Sequence, residues 1–264
     1  MTLPHQEAFK ACCARLYGDD LVTMLLGSNL HPGGPTLTRR LAQVACLSPD
    51  ERVLDVACGP GASALLLARE FDVSVRGIDL SPALVARALA AASAEGLSSL
   101  TRFEIGDAEC LPASDASVDA VLCECALCTF PDKQAAVAEF ARVLRPRGRL
   151  LLSDIVVDRE GLTPDLRSFA ARVACLADAL PLDGYLRLIE GAGLRVCTIE
   201  HHDEALSRMV GEVDARLELL SRTVLAEGFD IAAARRLTTA ARVAVDQGKA
   251  GYVLLTAELD EMAT

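Results

Sequence analysis

Between Arg52 and Asp154 short apolar runs alternate with helical stretches, and the first run ends in a glycine-rich turn. Arg52–Ala57 (RVLDVA) reads as a strand closed by Gly59-Pro60-Gly61, and Ala62–Glu70 as the helix that follows. Val73–Ile78 is a second strand ending at Asp79, and Pro82–Ala94 an alanine-rich helix. Thr101–Ile105 and Val118–Glu124 are the third and fourth strands, Lys133–Leu144 a helix and Arg149–Asp154 a fifth strand. Strands that alternate with helices pack as a parallel, doubly wound α/β sheet with helices on both faces. Ligands of such sheets bind beyond the carboxyl ends of the strands, where the strand order reverses. Residues at those ends are therefore the candidates for function.

The flanks extend this pattern. Glu7–Leu26 has apolar residues at helical spacing, Gly27–Pro35 (GSNLHPGGP) reads as a loop and Thr36–Ala45 as a helix. Beyond Asp154 the pattern predicts helices at Leu166–Leu176 and Leu182–Ala192 and a strand at Leu194–Glu200. Two helices between Asp203 and Asp246 and a last strand at Gly251–Glu258 complete it. The expected organisation is a helical cap over 1–48, a Rossmann-like core over 49–200, and a helical insertion plus final strand over 201–264. With 264 residues, 52% hydrophobic and 24% charged, the chain has enough apolar surface for a packed core. Its net charge of -11 disfavours a nucleic-acid or anionic-membrane partner. No apolar run is long enough to span a bilayer and no signal segment is indicated, so the expected location is cytoplasmic. There the 10 cysteines are expected to be reduced thiols.

The turn VLDVACGPGAS is the strongest single signal. Glycines after a strand let a ligand approach the backbone and leave amides free at the next helix's N-terminus. A tight turn for packing alone is the plainer reading. The pattern is not GxGxxG, and no Lys-Ser/Thr pair follows, so the nicotinamide and nucleoside-triphosphate signatures are missing. Asp79 stands where a carboxylate accepts ribose hydroxyls, and Asp107 ends the third strand. Asp55 lies within the first strand, placed to hold the turn or to reach a ligand's ammonium through water.

Residues 52–154 resemble the class I methyltransferases that use S-adenosylmethionine. The resemblance rests on VLDVACGPG, the acidic strand end at Asp79, GDAECLP at 106–112 and VLRPRGRLLLSD at 143–154. It implies that Gly59 and Gly61 approach the methionine part of the cofactor, that Asp79 with Leu80 serves the ribose, and that Asp107, Ala108 and Glu109 serve the adenine. It implies a seven-stranded sheet whose last strand is antiparallel. Tyr17 is expected either to close over the cofactor, as N-terminal tyrosines do in related enzymes, or to pack on a helix face.

The thiols point to an acceptor. Cys123, Cys125 and Cys128 form CECALC after the fourth strand, and Cys175 follows the fifth. The CxCxxC spacing occurs in metal sites, but a four-thiolate zinc centre needs a fourth ligand, and no resident metal is expected. If 123–125 stays extended, Cys123 and Cys125 share a face and Glu124 points away. CALCTFPDK, the following ARVLRPRGRLLLSDI, and Cys175 before ALPLDGYLRLIEGAGL are similar to the arsenite methyltransferases. That resemblance implies that Cys125 and Cys175 bind trivalent arsenic as thiolates, with Cys12, Cys13 and Cys128 competing to be a third ligand. It also implies a thiol cosubstrate such as glutathione. Arsenic(III) is thiophilic, and its lone pair needs no general base to attack the methyl.

Two alternatives stand beside methyl transfer to arsenite or a thiol-conjugated metalloid. One is a methyltransferase acting on a carbon, oxygen or sulfur of a small organic molecule, with cysteines used for packing. The other is a thiol-rich binding protein without catalysis. Cys46, Cys58, Cys110 and Cys197 read as packing residues. His31, in its Gly/Pro loop, reads as a surface residue, or else as part of a lid; His201 and His202 read as exposed.

Overall fold

A computed structural model describes residues 3–27, 30–158, 160, 163, 166, 177–222 and 230–261. A seven-stranded sheet forms its centre, in the order β3-β2-β1-β4-β5-β7-β6. The strands are β1 (Arg52–Val56), β2 (Ser74–Asp79), β3 (Thr101–Ile105), β4 (Val118–Glu124), β5 (Leu144–Val157), β6 (Leu194–His201) and β7 (Ala250–Leu259). β1 pairs in parallel with β2 and β4, β2 with β3, and β4 with β5. β7 runs antiparallel to both β5 and β6. The expected sheet, with its last strand reversed, is the one observed. Strand order reverses between β1 and β4, so the crevice lies at their carboxyl ends.

Side-chain alternation divides each strand between two cores. Leu54, Val56, Val121, Cys123, Leu150 and Leu152 pack with Phe140, Tyr185 and Ile189. Val53, Ala120, Leu122 and Leu151 pack on the other face with Leu41, Leu66, Leu67 and Ala88. The first face is covered by α6 (Lys133–Val143) and α7 (Leu182–Gly191), the second by α3 (Gly34–Val44), α4 (Ala62–Phe71) and α5 (Pro82–Ala94). Local chemistry sets several boundaries. Ser81 caps α5 by accepting from the Leu84 amide, with Pro82 in the first turn, and Asp132 caps α6 through the Ala135 amide.

α8 (Asp203–Leu220) and α9 (Ile231–Asp246) lie between β6 and β7 in sequence. They pack with Leu37, Ile155, Val157 and Tyr252 at the carboxyl side of β5. Leu25 of α2 (Asp20–Leu26) meets Leu217 and Leu220 of α8. Among the described residues no helix is long and apolar enough to cross a membrane.

Two elements depart most from expectation at their N-terminal side or interior, the others by no more than three residues at their ends. The segment expected as one helix over 7–26 is two, α1 (Leu3–Tyr17) and α2, because Asp19 takes an extended conformation and accepts the Leu21 amide as an N-cap. β5 begins at Leu144 rather than Arg149, since Leu144 pairs with Val118 across a bulge despite Pro146 and Gly148. The helix expected over 166–176 falls largely outside the described residues.

Candidate active site

The turn after β1 is built from left-handed backbone. Ala57, Gly59 and Gly61 have φ of 58°, 55° and 84°. At Gly61 a Cβ would stand 2.9 Å from the Ala88 Cβ and 3.0 Å from the Phe103 ring, so only glycine lets α4 start there. At Gly59 a Cβ would meet Leu30 Cδ1 at 3.3 Å, on the side where the backbone borders a cavity.

That cavity lies at the strand-order reversal. Its walls include Phe9, Lys10, Cys13 and Tyr17 from α1, Leu30, Ala57, Gly59, Asp79, Leu80, and Asp107 to Glu109. Glu124, Cys125, Ala126, Thr129 and Phe130 form the β4 side. Of the residues singled out by sequence, the fold gathers Cys13, Tyr17, Gly59, Asp79, Leu80, Asp107, Ala108, Glu109 and Cys125 around this one space. Gly61 and Asp55 are not on the wall. Cys12 is half-buried on α1 and off the wall. Cys128 is fully buried among Leu37, Ile155 and Tyr252. Cys175 lies outside the described residues.

Asp79 ties β2 to the turn. Its Oδ2 accepts the Gly59 amide at 2.9 Å and its Oδ1 the Ser81 amide at 2.7 Å. Burial pushes its carboxyl up, opposed by those two amide bonds. Asp55 is more extreme. Burial, then Glu124 and Asp79, push its carboxyl well above the usual range, and its Oδ2 has no hydrogen-bond partner. Opposite, Lys10 Nζ binds Asp107 Oδ2 at 2.7 Å and Glu109 Oε2 at 2.5 Å, fastening α1 across the cavity. Burial lowers the Lys10 pKa, but the bonds to Asp107 and Glu109 outweigh it and raise it.

Glu124 had no role in the sequence reading, yet its carboxylate is a focus of the site. The Ser63 hydroxyl donates to its Oε2 at 2.5 Å, and Thr38 Oγ1 lies 3.1 Å from each carboxylate oxygen. His31 Nε2 stands 3.6 Å from Oε2. Strand alternation could have shown that Glu124 faces α3 and α4, opposite Cys123; nothing local in sequence shows what meets it there.

Several expectations need correction. His31 is not a surface residue: it is 7% exposed, with Nδ1 3.2 Å from the Pro32 carbonyl oxygen. Cys123 and Cys125 do not share a face. β4 ends at Glu124, and Cys125 takes φ of 52° while its amide donates to the Ser153 carbonyl, which breaks the alternation. Cys123 is left in the core, where burial, then Asp154 and Asp55, push its thiol well up. Cys46, Cys110 and Cys197 are exposed rather than packed, and His202 is partly covered and sits 3.2 Å from Glu200. Among the described residues no three His, Cys, Asp or Glu side chains group as metal ligands.

Residues 54–152 match the family of the methyltransferase domain. The chain is 33% identical over 256 residues to 27-O-demethylrifamycin SV methyltransferase of Amycolatopsis mediterranei, spanning 90% of this chain and 92% of that one. It is 31% identical over 185 residues to arsenite methyltransferase of Halobacterium salinarum, spanning 66% of this chain but 45% of that one. In fold it superposes on Haemonchus contortus phosphoethanolamine N-methyltransferase 2 in complex with S-adenosyl-L-methionine, with a TM-score of 0.79 and 20% identity over 96% of this chain and 60% of that one. The chain belongs to the class I S-adenosylmethionine-dependent methyltransferases. Its cofactor is S-adenosylmethionine, a cation at both its sulfonium and its ammonium. The wall fits such a group: glycine backbone on one side, and the carboxylates of Asp79, Asp107, Glu109 and Glu124 around it.

Proposed function

We propose that this enzyme methylates a hydroxyl of a small organic molecule. The observation that carries this reading is the reach of the likeness to the rifamycin-type O-methyltransferase, which spans 90% of the chain. It therefore extends well beyond the 54–152 core that methyltransferases of many substrates share. The cap (1–48) and the inserted helices (within 201–264) are the parts we assign to acceptor recognition. The cavity wall carries the apolar side chains of Phe9 and Leu30 from the cap and of Ala126, Phe130 and Pro131 after β4, which suits an organic acceptor.

Bound in this cavity, the cofactor supplies a methyl group on a positively charged sulfur. Asp79 keeps lone pairs for the ribose hydroxyls, beside Leu80. Asp107, Ala108 and Glu109 would border the adenine, and Gly59, in the turn it shares with Gly61, would let the methionine part lie against backbone. Phe9 and Tyr17 on α1 exclude water from above. The hydroxyl oxygen would take the methyl, leaving S-adenosylhomocysteine and releasing the hydroxyl proton to water, and the protein's main contribution is to hold that oxygen in line with the methyl.

A second reading, methyl transfer to arsenite, is favoured by one observation: Cys13 and Cys125 line the same cavity. Labelled S-adenosylmethionine distinguishes the two. The protein is given either 27-O-demethylrifamycin SV and simpler phenols, or arsenite with reduced thiol, alongside Cys125→Ser and Cys175→Ser. Labelled organic product retained in both variants supports the hydroxyl acceptor. Methylated arsenic from the parent, lost in both variants, replaces that reading with the metalloid.

A further inference from the structure

We propose that Asp55 couples the cofactor's charge to a proton. It is protonated in the cofactor-free protein and releases that proton to water when the positively charged S-adenosylmethionine binds. It keeps the proton when the product S-adenosylhomocysteine, whose sulfur is uncharged, binds instead. The inference rests on the reading that the cavity beside Gly59 holds the cofactor.

Strand register gathers three carboxyls on one face of the sheet. Asp55 pairs with Gly77 of β2 and Leu122 of β4, and the next residues on the same face of those strands are Asp79 and Glu124. That face is the one covered by α3, α4 and α5, since Val53, Val75 and Leu122 pack there. Asp55 and Asp79 are 3% and 9% exposed, and the Glu124 side chain 5%. Among the described residues no lysine or arginine pairs with any of the three. The other groups there that exchange protons are Cys58 in the turn, Cys123 on the opposite face, and His31, whose Nε2 is 3.6 Å from Glu124. From α3 and α4 come only the hydroxyls of Thr38 and Ser63.

Three adjacent buried carboxyls without a cation do not all stay ionised. Donors decide which one takes the proton. Asp79 accepts the Gly59 and Ser81 amides, and Glu124 accepts the Ser63 and Thr38 hydroxyls. Asp55 Oδ2 has no partner, so the proton belongs there. Burial, and then its two neighbours, push its carboxyl well up against a single amide bond from Ala64. Those neighbours, unlike Asp55, border the cavity. A cation lodged beside Asp79 and Glu124 offsets their repulsion of Asp55 and lets the proton leave. S-adenosylmethionine and S-adenosylhomocysteine differ by one methyl and one positive charge on sulfur, so only the first brings that charge. Binding of the donor is thereby linked to proton release, and its affinity relative to the product's rises with pH up to the folded-state pKa of Asp55.

Calorimetric titration of the full chain at pH 6.5, in two buffers of different ionisation enthalpy, counts the protons. At that pH the ligands' own amino groups, which ordinarily titrate at about 7.7–8.0, are already charged. S-adenosylmethionine is expected to release up to about one proton more than S-adenosylhomocysteine. Asp55→Asn should abolish the difference while both ligands still bind, which also shows that the variant is folded. His31→Asn should keep the difference, which separates Asp55 from the histidine. The parent alone offers a second measurement. Its affinity for S-adenosylmethionine relative to S-adenosylhomocysteine should rise by up to about tenfold between pH 5.5 and 6.5. Equal proton release for the two ligands, a difference that survives in Asp55→Asn, or an affinity ratio that is flat with pH overturns the assignment. If neither ligand binds the folded parent, the cavity reading falls and the inference with it.

Discussion

The Gly59 amide donates to Asp79 Oδ2 at 2.9 Å, which makes the turn after β1 and the end of β2 one hydrogen-bonded unit. The other oxygen of Asp79 holds the Ser81 amide at the cap of α5. One carboxylate thus sets the glycine turn and the helix start together, and each oxygen keeps a further lone pair on a side chain that borders the cavity.

Asp79→Asn replaces one acceptor oxygen with an NH2 donor, which must face either the Gly59 or the Ser81 amide. The expected outcome is a stability loss of about 1–3 kcal/mol, the cost of one unsatisfied buried donor. Cofactor affinity should fall at least tenfold. Urea denaturation and titration with S-adenosylhomocysteine measure the two effects separately; unchanged affinity would remove Asp79 from the ribose site.

The two glycines of the turn should respond differently to alanine. Both sit at positive φ, where a Cβ costs about 1–2 kcal/mol. At Gly61 the added methyl also meets Ala88 and Phe103 in the packed core, so Gly61→Ala should lose a further 1–3 kcal/mol or so through overpacking. At Gly59 it meets only the end of the flexible Leu30 side chain, so Gly59→Ala should fold well and bind cofactor poorly. Denaturation midpoints ranked the other way would mean that the turn is not seated as described.

What the sequence disclosed follows from which interactions are local. Pro82–Ala94, Thr101–Ile105 and Val118–Glu124 begin and end where read, because caps, prolines and apolar runs are written in neighbouring residues. Asp19 was hidden as a helix cap because the apolar spacing continues across it. Leu144 was hidden as a strand residue because Pro146 and Gly148 resemble a turn. Many of the expected site residues, Asp79 and Asp107 among them, share the cavity because strand ends converge at the reversal of strand order. Glu124 and His31 were illegible for the opposite reason. Thr38, Ser63, His31 and Glu124 come from four separate segments, and only the packing of α3 and α4 on the sheet assembles them. A Gly/Pro loop has the composition of a surface segment, and nothing in it announces that His31 is buried.

Asp55 gives the apo protein a pH dependence of defined sign. Its folded-state pKa is raised well above the ordinary 3.8 of an aspartate, first by burial and then by Glu124 and Asp79. The folded state therefore holds a proton that the unfolded chain releases, and stability falls as pH rises from about 4 through the folded pKa. Asp79, also raised, acts in the same direction. The lowered carboxyls of Glu70, Glu139, Glu200 and Glu218 act below the ordinary glutamate value of 4.5 and so leave this window to the aspartates. Asp55→Asn should be more stable than the parent at pH 7.5, with a flatter profile between pH 5 and 8. Urea midpoints across that range, taken without cofactor, give the answer; a parent protein that gains stability with rising pH there would contradict the assignment.

Lys10 joins α1 to the loop after β3 through Asp107 and Glu109. The three side chains are 17%, 33% and 12% exposed, so the network is partly shielded but not deeply buried. Its contribution to global stability should be no more than about 1 kcal/mol. Its effect on the cavity should be larger, because Phe9, Cys13 and Tyr17 on the same helix line the wall that α1 closes. Lys10→Met keeps the length of the side chain and removes the charge. The variant should melt within a few degrees of the parent, exchange the backbone amides of α1 faster, and release S-adenosylhomocysteine several-fold faster. The same acceleration should appear in the parent when salt is raised, since the pairs are partly screened by solvent. Stopped-flow displacement measures the release rate directly. A release rate unchanged by both the substitution and the salt would show that α1 does not hold the ligand in.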